Sequence, residues 1–469
     1  MKGGDWSSFK SNLDEPSSRV LPAYMRSKDS IYVNRAAFRR VTVLLGASLF
    51  LARPLVHAGA LEDYVKKPDP NYTWKQLAQK EEGGFGITHL ELTSQQWREG
   101  NWLHHMQIVR PEKVRHPEIA FLFITGDGDG QKNLGLLKIL SERAGALAAV
   151  VTKIPNQPLY NGLKEDALIA YTFDNYLKTG DETWPLLFPM VKSAVRAMDT
   201  VQAFAKQEYK QKVEKFVVGG ASKRGWTTWL TAAADPRVQA IAPMVIDMLN
   251  MRAQADWAEK VYGKQSEQIR DYTDRHLLEK MDDPGMVKLR GWVDPYNYRQ
   301  RYNIPKLLLL GTNDPYWTVD SLRHYWNGLP GPKLIFQTPN AGHDLGGARE
   351  ATQTLAAFFQ MIADGQKLPN MEWELKDASN KSAEIKVKVN QPAKAIRLWT
   401  ADSEQRDFRK SQWTSRELEI TPGSSRAEAQ VEAPEHGHRA YLVEVVLTSP
   451  TGQEYKLSTE ARVTPDDIK

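Results

Sequence analysis

The sequence VVGGASKRGW, at residues 217–226, decides the fold of this 469-residue chain. Its first residues are typical of a short buried strand, its Gly-x-Ser segment predicts a sharp turn, and the residues that follow favour a helix. Gly220 leaves the room that such a turn needs two positions before the serine. Ser222 is therefore a candidate nucleophile, and the alternative is a tight turn in which Ser222 only caps the next helix.

Two later loops supply the partners that a serine nucleophile needs. An apolar strand at 306–310 is followed by Asp314, and His343 follows a second strand at 333–337. The order Ser, Asp, His is the one that α/β-hydrolases use, and all three residues would lie at the carboxyl ends of strands. The sequence thus predicts Ser222 as nucleophile, His343 as general base and Asp314 as the acid that orients the imidazole.

Other assignments of these residues remain open from the sequence alone. Asp247 follows the preceding strand and is a second candidate for the acid. Asp344 is adjacent to His343, so the two side chains would not meet across the imidazole, and we interpret Asp344 as part of the local loop structure. A single Asp or His in a loop is also typical of turns and exposed surfaces, so the prediction depends on the joint placement of the three residues.

An oxyanion hole needs two backbone N–H donors. One is predicted at Lys223, directly after the nucleophile, and the other at Gly126 or Asp127, after the strand at 119–125. The sequence GDGDG at 126–130 lacks the Lys and Ser or Thr of a phosphate loop and the spacing of an EF-hand. We predict no metal and no cofactor.

The order of elements predicts an α/β fold with a doubly wound, mostly parallel sheet over residues 61–368. A helical insertion is predicted at about 250–302 within this domain. It is either a lid over the site or an ordinary solvated helical segment. Short alternating segments from 369 to 469 predict a C-terminal β-sandwich. Helices are also predicted at 74–81 and around Leu322 and Tyr325. The tryptophans near the predicted mouth either line a substrate pocket or belong to the core: Trp226, Trp229, Trp292 and Trp317.

Residues 1–60 have the pattern of a secretory signal peptide. Three arginines precede an apolar segment at 41–52, and Ala58-Gly59-Ala60 offers small residues at a cleavage site. The apolar segment is short for a membrane span, so we expect an exported, periplasmic or secreted protein with no stable membrane span in the mature chain. The alternative is that the segment is an uncleaved anchor or a buried helix. Met1 and Met25 are both candidate translation starts, and the oligomeric state is not determined by the sequence.

The composition argues against several classes of function and of site. The formal net charge is only +5, and Lys and Arg are interspersed with Asp and Glu, so we expect no nucleic-acid binding. The chain contains no cysteine, which excludes disulfides, cysteine nucleophiles and cysteine metal ligands.

Several short motifs resemble the PhoPQ-activated pathogenicity-related protein family. They are PNQP at 155–158, WP at 184–185 with PM at 189–190, RAMD at 196–199, GASKRGWTTW at 220–229, DPRV at 235–238, DPY at 294–296 and RDFR at 406–409. The usual α/β-hydrolase elbow has glycine two positions after the serine, and Arg224 at that position matches the pattern of this family. The resemblance implies an exported α/β-hydrolase similar to prolyl-oligopeptidase-type peptidases, with a β-rich C-terminal region. It also implies a link to envelope stress and antimicrobial-peptide resistance.

Two functions are therefore compatible with the sequence. The first is an exported serine hydrolase that acts on a peptide or small ester substrate. The second is a catalytically idle hydrolase-fold protein that binds a partner or signals. The intact set of Ser222, Asp314 and His343 favours the enzyme, because a purely binding protein has no chemical reason to keep the three together.

Overall fold

A nine-stranded mixed sheet lies at the centre of the protein and places the predicted site residues at one edge. The structure, a computed structural model, describes residues 59–98, 100–379, 382–420 and 425–468. The predicted leader therefore lies outside the described residues, except for its last two positions, which begin the first helix.

The central strands alternate with helices in the order that the sequence predicts. The strands are β1 (Thr73–Glu82), β2 (Phe85–Trp97), β3 (Gly100–Pro111), β4 (Ile119–Ile124), β5 (Leu147–Val151), β6 (Lys215–Ala221), β7 (Val238–Met244), β8 (Lys306–Gly311) and β9 (Lys333–Thr338). The helices of the described part are α1 (Gly59–Lys66), α2 (Leu134–Ala144), α3 (Glu165–Thr179), α4 (Leu187–Tyr209), α5 (Lys223–Ala234), α6 (Met251–Tyr262), α7 (Arg270–Thr273), α8 (Pro284–Val293) and α9 (Arg349–Ala363).

The strand order is β1-β2-β3-β5-β4-β6-β7-β8-β9. The first strands pair antiparallel, and the strands from β5 to β9 in this order pair parallel. The exchange of β4 and β5, together with the helices on both faces, gives the α/β-hydrolase topology that the sequence predicts. Parallel strands direct their carboxyl ends to one edge, where ligands bind in sheets of this type.

Both faces of the parallel part of the sheet are buried, which explains the continuous apolar character of strands β4 to β9. In β6, Phe216 and Val218 pack into one hydrophobic cluster, whereas Val217 between them packs into the cluster on the opposite face. This alternation follows from the two-residue period of a strand. The sheet is therefore a rigid support on which the loops at the site are held.

The C-terminal region is built from two antiparallel sheets. Its strands are β10 (Met371–Ser379), β11 (Ser382–Val389), β12 (Ala395–Ser403), β13 (Thr414–Glu417), β14 (Arg426–Glu432), β15 (His438–Thr448), β16 (Glu454–Ser458) and β17 (Arg462–Thr464). One sheet has the order β10-β11-β14, and the other has the order β13-β12-β15-β16, with β17 paired to β15. No strand occurs between α6 and β8, so the insertion is helical as predicted.

The prediction of a helix at 74–81 is wrong. These residues form β1. The strand pairs with β2 across a two-residue turn, Gly83-Gly84, in which both residues have positive φ angles of 62° and 81°. Consecutive residues of positive φ are the signature of a tight hairpin turn, and glycine adopts them without steric cost. The turn thus outweighs the helix-favouring side chains, nearly all of which are exposed.

The helix predicted around Leu322 and Tyr325 is replaced by two short 3-10 turns, Ser321–His324 and Trp326–Gly328. The following sequence contains Pro330 and Pro332, which cannot continue a helix. Gly328 also lies so close to Tyr296 that a β-carbon there would fall 2.2 Å from the tyrosine hydroxyl oxygen. The chain between β8 and β9 is therefore compact but not helical over its length.

Candidate active site

Ser222 occupies a strained turn between β6 and α5. Its backbone angles, φ 57° and ψ −126°, lie outside the ordinary helical and extended regions. Its N–H donates to the carbonyl oxygen of Met244 at 2.8 Å, and its side chain forms no capping hydrogen bond to α5. The capping alternative therefore does not describe this serine. Strain of this kind persists where the surrounding structure enforces it, commonly at functional sites.

Two glycines make this turn possible. A β-carbon at Gly220 would lie 2.7 Å from the carbonyl oxygen of Arg224, and one at Gly225 would lie 2.9 Å from that of Met244. Both distances are shorter than real contacts, so the helix and strand approach each other only because these side chains are missing. The structure thus gives a steric reason for the glycine positions in GGASKRG.

Arg224, which stands where the usual elbow has glycine, joins α5 by hydrogen bonds to the segments that carry Glu165 and Ile154. Its guanidinium donates to both carboxylate oxygens of Glu165, at 2.7 and 2.6 Å, and to the carbonyl oxygen of Ile154. Burial alone would raise the pKa of Glu165, but the arginine lowers it to about 2. The same guanidinium covers Gly126, where a β-carbon would lie 2.4 Å from Nη2. This packing explains why the loop after β4 needs glycine at that position.

His343 and Asp314 meet as the sequence predicts. Nδ1 of His343 lies 2.8 Å from Oδ2 of Asp314, and Oδ1 of Asp314 accepts from the N–H of Tyr316 at 3.0 Å. Asp314 is buried, so the bond is shielded from water. Since a carboxylate only accepts, Nδ1 carries the proton, and in the neutral ring Nε2 has a free lone pair that can take one.

A hydrogen bond between Ser222 and His343 is not formed in this structure. Nε2 of His343 is buried and has no hydrogen-bond partner. The imidazole stacks against Tyr316, with ring centroids 4.4 Å apart and an interplanar angle of 29°. Catalytic hydrogen bonds are often open without substrate and close on binding. The structure thus brings Asp314 and His343 together and leaves the Ser222 contact unmade.

The predicted oxyanion donors lie around the turn. Lys223 is the first residue of α5, so its N–H has no acceptor within the helix and lies at the positive end of the helix dipole. Its side chain is held by Asp166, at 2.9 Å from Nζ. Of the two candidates after β4, Gly126 lies half-buried under Arg224, whereas Asp127 is exposed. The two positions remain alternatives for the second donor.

Several residues around the site were not found by sequence reasoning. Asp166 accepts from the hydroxyl of Tyr272 at 3.0 Å and from that of Tyr316 at 3.5 Å. Burial, with Asp166 and Asp314 nearby, raises the pKa of Tyr316 to about 12, so this tyrosine keeps its proton. Its position two residues after Asp314 is the only sequence signal for its role, and none existed for Glu165 or Asp166, which lie far away in the chain.

The other predicted residues occupy distinct places. Asp247 is buried, and one of its carboxylate oxygens has no hydrogen-bond partner, while His343 bonds to Asp314 instead. Asp344 accepts from the N–H of Gly346 at 3.0 Å, which agrees with its interpretation as local loop structure. The tryptophans divide: Trp226 and Trp317 line the cavity described next, and Trp229 and Trp292 are buried in the core.

An apolar cavity of about 140 Å³ opens at Ser222. Most of its wall comes from the helical insertion, with side chains that include Met251, Tyr272, Leu278, Met286 and Leu289. The insertion therefore forms part of the site and is not only a solvated excursion. Within the described ranges, no cluster of three or more His, Asp or Glu has the arrangement of a metal site, and no helix is long and apolar enough to span a membrane.

The chain is similar in sequence to known proteins. A family model described as PhoPQ-activated pathogenicity-related protein matches residues 61–409. The autocrine proliferation repressor protein A of Dictyostelium discoideum is 33% identical over 397 residues, which cover 79% of each chain.

Solved structures of esterases and a related hydrolase are also similar. Acetyl xylan esterase 1 from Thermoanaerobacterium sp. has a TM-score of 0.48 at 16% identity, over 65% of this chain and 92% of that one. An S-formylglutathione hydrolase from Agrobacterium tumefaciens has a TM-score of 0.39 at 14% identity, over 62% and 96%.

Proposed function

The chain belongs to the PhoPQ-activated pathogenicity-related protein family, and we propose that it is a serine hydrolase that cleaves a peptide or ester bond with Ser222, His343 and Asp314. The observation that carries the proposal is the strained, uncapped Ser222 at the mouth of a cavity. A serine that served only the fold would be expected to bond to the helix end that it precedes. The Asp314–His343 pair supplies the base that this serine needs.

The chemistry follows from the geometry of these groups. Closing of the Ser222–His343 contact lets Nε2 take the hydroxyl proton as Oγ attacks the carbonyl carbon. The negative charge on the carbonyl oxygen is stabilised by N–H donors at Lys223 and at Gly126 or Asp127. His343 then gives the proton to the leaving group, and water releases the acyl group from Ser222 by the same steps. Asp314 keeps the ring in the required tautomer and stabilises the imidazolium.

A fluorescent fluorophosphonate tests whether Ser222 is an activated nucleophile. We expect the native protein to be labelled and the Ser222→Ala variant to remain unlabelled. His343→Ala should label far more slowly, because the serine then lacks its base. Heat-denatured wild-type protein is the matched control, since it keeps every serine and loses the site. Labelling that is equal in wild type and Ser222→Ala would contradict the proposal.

A binding or signalling role is the second candidate. It is favoured by one relative, whose name describes an autocrine proliferation repressor and which shares 33% identity with this chain. Native protein that stays unlabelled and does not hydrolyse any peptide or ester would support this candidate. In that case the cavity mouth at Trp317 and Tyr316 would be the contact surface to test by substitution.

We also propose that the protein is exported and acts in the periplasm or outside the cell. The support is the sequence pattern of residues 1–60 and the family's link to envelope stress and antimicrobial-peptide resistance. N-terminal sequencing of protein from the envelope fraction should begin at Leu61. Recovery of soluble cytoplasmic protein that keeps residues 1–60 would contradict export.

A further inference from the structure

We propose that the cavity beside Ser222 holds the acyl group of the substrate, and that this group is apolar, uncharged and about six carbons in size, such as a hexanoyl chain or a benzoyl ring. The inference rests on the proposed hydrolase function and adds to it the class of substrate. It depends on where the cavity lies, how large it is and what its wall offers to a ligand.

The position of the cavity assigns it to the acyl side of the scissile bond. Ser222 lines the cavity, whereas His343 does not. The leaving group must lie near His343, because this residue donates the proton that the departing atom receives. The part of the substrate that remains bonded to Ser222 therefore extends the other way, into the cavity.

The size of the cavity sets the size of the group. Its volume is about 140 Å³, and an engineered apolar cavity of about 150 Å³ in another protein is known to bind benzene. An acetyl group would leave most of the space empty, and a long fatty acyl chain would exceed it. A group of about six carbons fills it.

The wall of the cavity is suited to hydrocarbon. Leu277, Met286, Leu289 and Val293 of the insertion are all buried, and Trp226 of α5 closes the wall behind Ser222. Each methylene that moves from water into such a wall contributes about 0.8 kcal/mol of binding, which corresponds to roughly fourfold in kcat/KM. The wall thus favours longer acyl groups until the cavity is full.

The polar groups in the wall are largely bonded to the protein already. Asp166 accepts from Lys223 and from two tyrosines, as described above. The side chain of Gln254 donates to the carbonyl oxygen of Ser321 at 3.1 Å, and the hydroxyl of Ser266 donates to that of Pro315 at 2.7 Å. These groups do not call for a charged or strongly polar ligand.

Two donors in the wall are exceptions: the indole Nε1 of Trp317, which is buried without a partner, and Arg290, whose charge the test must address. Nη2 of Arg290 donates to the carbonyl oxygen of Met281 at 2.8 Å, but its Nε is buried without a partner. Burial raises the pKa of the nearby Asp294 to about 6, and backbone N–H donors and Arg290 offset this effect only in part. A substrate with a carboxylate at the far end of its acyl group would be the ligand that Arg290 selects, so such a substrate belongs in the experiment.

The first experiment measures kcat/KM for p-nitrophenyl acetate, butyrate, hexanoate and octanoate. We expect a rise of at least tenfold from acetate to hexanoate and a fall or plateau at octanoate. The monoester of adipic acid, which places a carboxylate at the end of a six-carbon chain, should be hydrolysed at least tenfold more slowly than the hexanoate. Preference for acetate, or for the carboxylate-bearing ester, would overturn the inference.

Two variants should move the preferred length in opposite directions. Leu289→Ala enlarges the cavity and should raise the octanoate-to-hexanoate ratio about tenfold, whereas Met251→Trp fills it and should lower the hexanoate-to-acetate ratio about tenfold. Met251 is only partly buried, so a larger side chain there is tolerated. Val287→Ala is the matched control, because Val287 lies on the same helix as Leu289 but is exposed, and its ratios should not change. Unchanged ratios in both cavity variants would contradict the proposal.

A binding measurement separates this inference from the proposed function. Ser222→Ala protein, which cannot turn over an ester, should be stabilised against heat by benzyl alcohol or hexanol, and Met251→Trp should remove that stabilisation. Stabilisation without any ester hydrolysis in wild type would leave the apolar ligand site standing and refute the enzyme. Hydrolysis of esters without length preference, and without stabilisation, would refute the site and leave the enzyme standing.

Discussion

Asp247 and Asp314 are two buried carboxyl groups that line the same small cleft, yet their surroundings give them different properties. Asp314 is bonded to His343 and to the N–H of Tyr316, so both of its carboxyl oxygens have partners. Asp247 has an oxygen without a partner, and burial, with Asp314 nearby, raises its pKa to about 8. Asp314 is therefore placed to orient the imidazole, whereas Asp247 is mostly a neutral acid at neutral pH.

The raised pKa of Asp247 predicts a pH-dependent stability. The unfolded chain releases this proton near pH 3.9, whereas the folded protein keeps it up to about pH 8, so folding takes up a proton in between. The contribution of Asp247 is fully present below about pH 4 and is lost as the pH rises through about 8. The neutral Asp247→Asn variant removes this titration, so its free energy of unfolding relative to wild type should increase from pH 5 to pH 9. Urea unfolding at several pH values measures the difference, and a difference that stays constant or decreases would contradict the assignment.

For single residues, the sequence predicted the contact between Asp314 and His343, but neither the unmade Ser222 contact nor the surroundings of these side chains. Asp314 and His343 were found because each follows an apolar strand in the order that the fold requires. Glu165 and Asp166 were not, because their roles depend on contacts with Arg224 and Lys223, which lie 59 and 57 residues away along the chain. No local pattern marks such partners.

The strand-turn-helix unit around Ser222 is the element on which the site depends. A methyl group at position 220 would collide with the backbone of Arg224, and backbone atoms cannot move aside as a flexible side chain can. Gly220, which helped to identify the turn in the sequence, is thus also required for the packing of the strand against the helix. Elements whose pattern agrees with their environment, such as β4 and β6, were predicted well, whereas β1 was not, since pairing through a glycine turn overrode its helix-favouring residues.

Gly220→Ala should therefore disturb both the fold and the site. Overpacking of this kind costs about 1–3 kcal/mol, and a shift of the turn would also move Ser222. Gly135→Ala is the matched control, because Gly135 lies in α2 with no atom within 4 Å of its missing β-carbon and should gain up to about 1 kcal/mol. Chemical unfolding and fluorophosphonate labelling measure the two effects. A Gly220→Ala protein with wild-type stability and labelling would show that the close approach is not required.

Across the whole molecule, the C-terminal region contacts the loops that carry Asp314 and His343. Asn313, next to Asp314, donates to the carbonyl oxygens of Phe408 and Ser411, at 3.2 and 2.7 Å. Asn340, three residues before His343, exchanges two hydrogen bonds with the backbone of Trp413. The two regions also share one hydrophobic cluster, which includes Phe336 of β9 together with residues of β15 and β16. The sequence predicted a β-rich region here, but these contacts join distant positions and had no local signal.

We expect Asn340→Ala to lower kcat while KM changes little, because the loop that carries His343 loses its hydrogen bonds to Trp413 but the cavity is untouched. A loss of about tenfold or more in kcat is expected if the imidazole moves by a fraction of an ångström or more. Asn370→Ala is the control, since Asn370 is exposed and lies outside the loops that carry Asp314 and His343. Thermal unfolding of each variant shows whether the effect is local. An unchanged kcat for Asn340→Ala would refute a positioning role for the C-terminal region.

The most direct test of the triad measures kcat/KM for p-nitrophenyl hexanoate. The first comparison is between wild type, Ser222→Ala, His343→Ala and the double variant. The second is between the matched variants Asp314→Asn and Asp344→Asn. We expect each single alanine variant to lose a factor of about 10⁴ or more and the double variant to lose no more, because the residues act as a unit. Asp314→Asn should be severely impaired, whereas Asp344→Asn should remain close to wild type. Turnover that survives Ser222→Ala, or losses from Asp344→Asn as large as those from Asp314→Asn, would contradict the proposed triad.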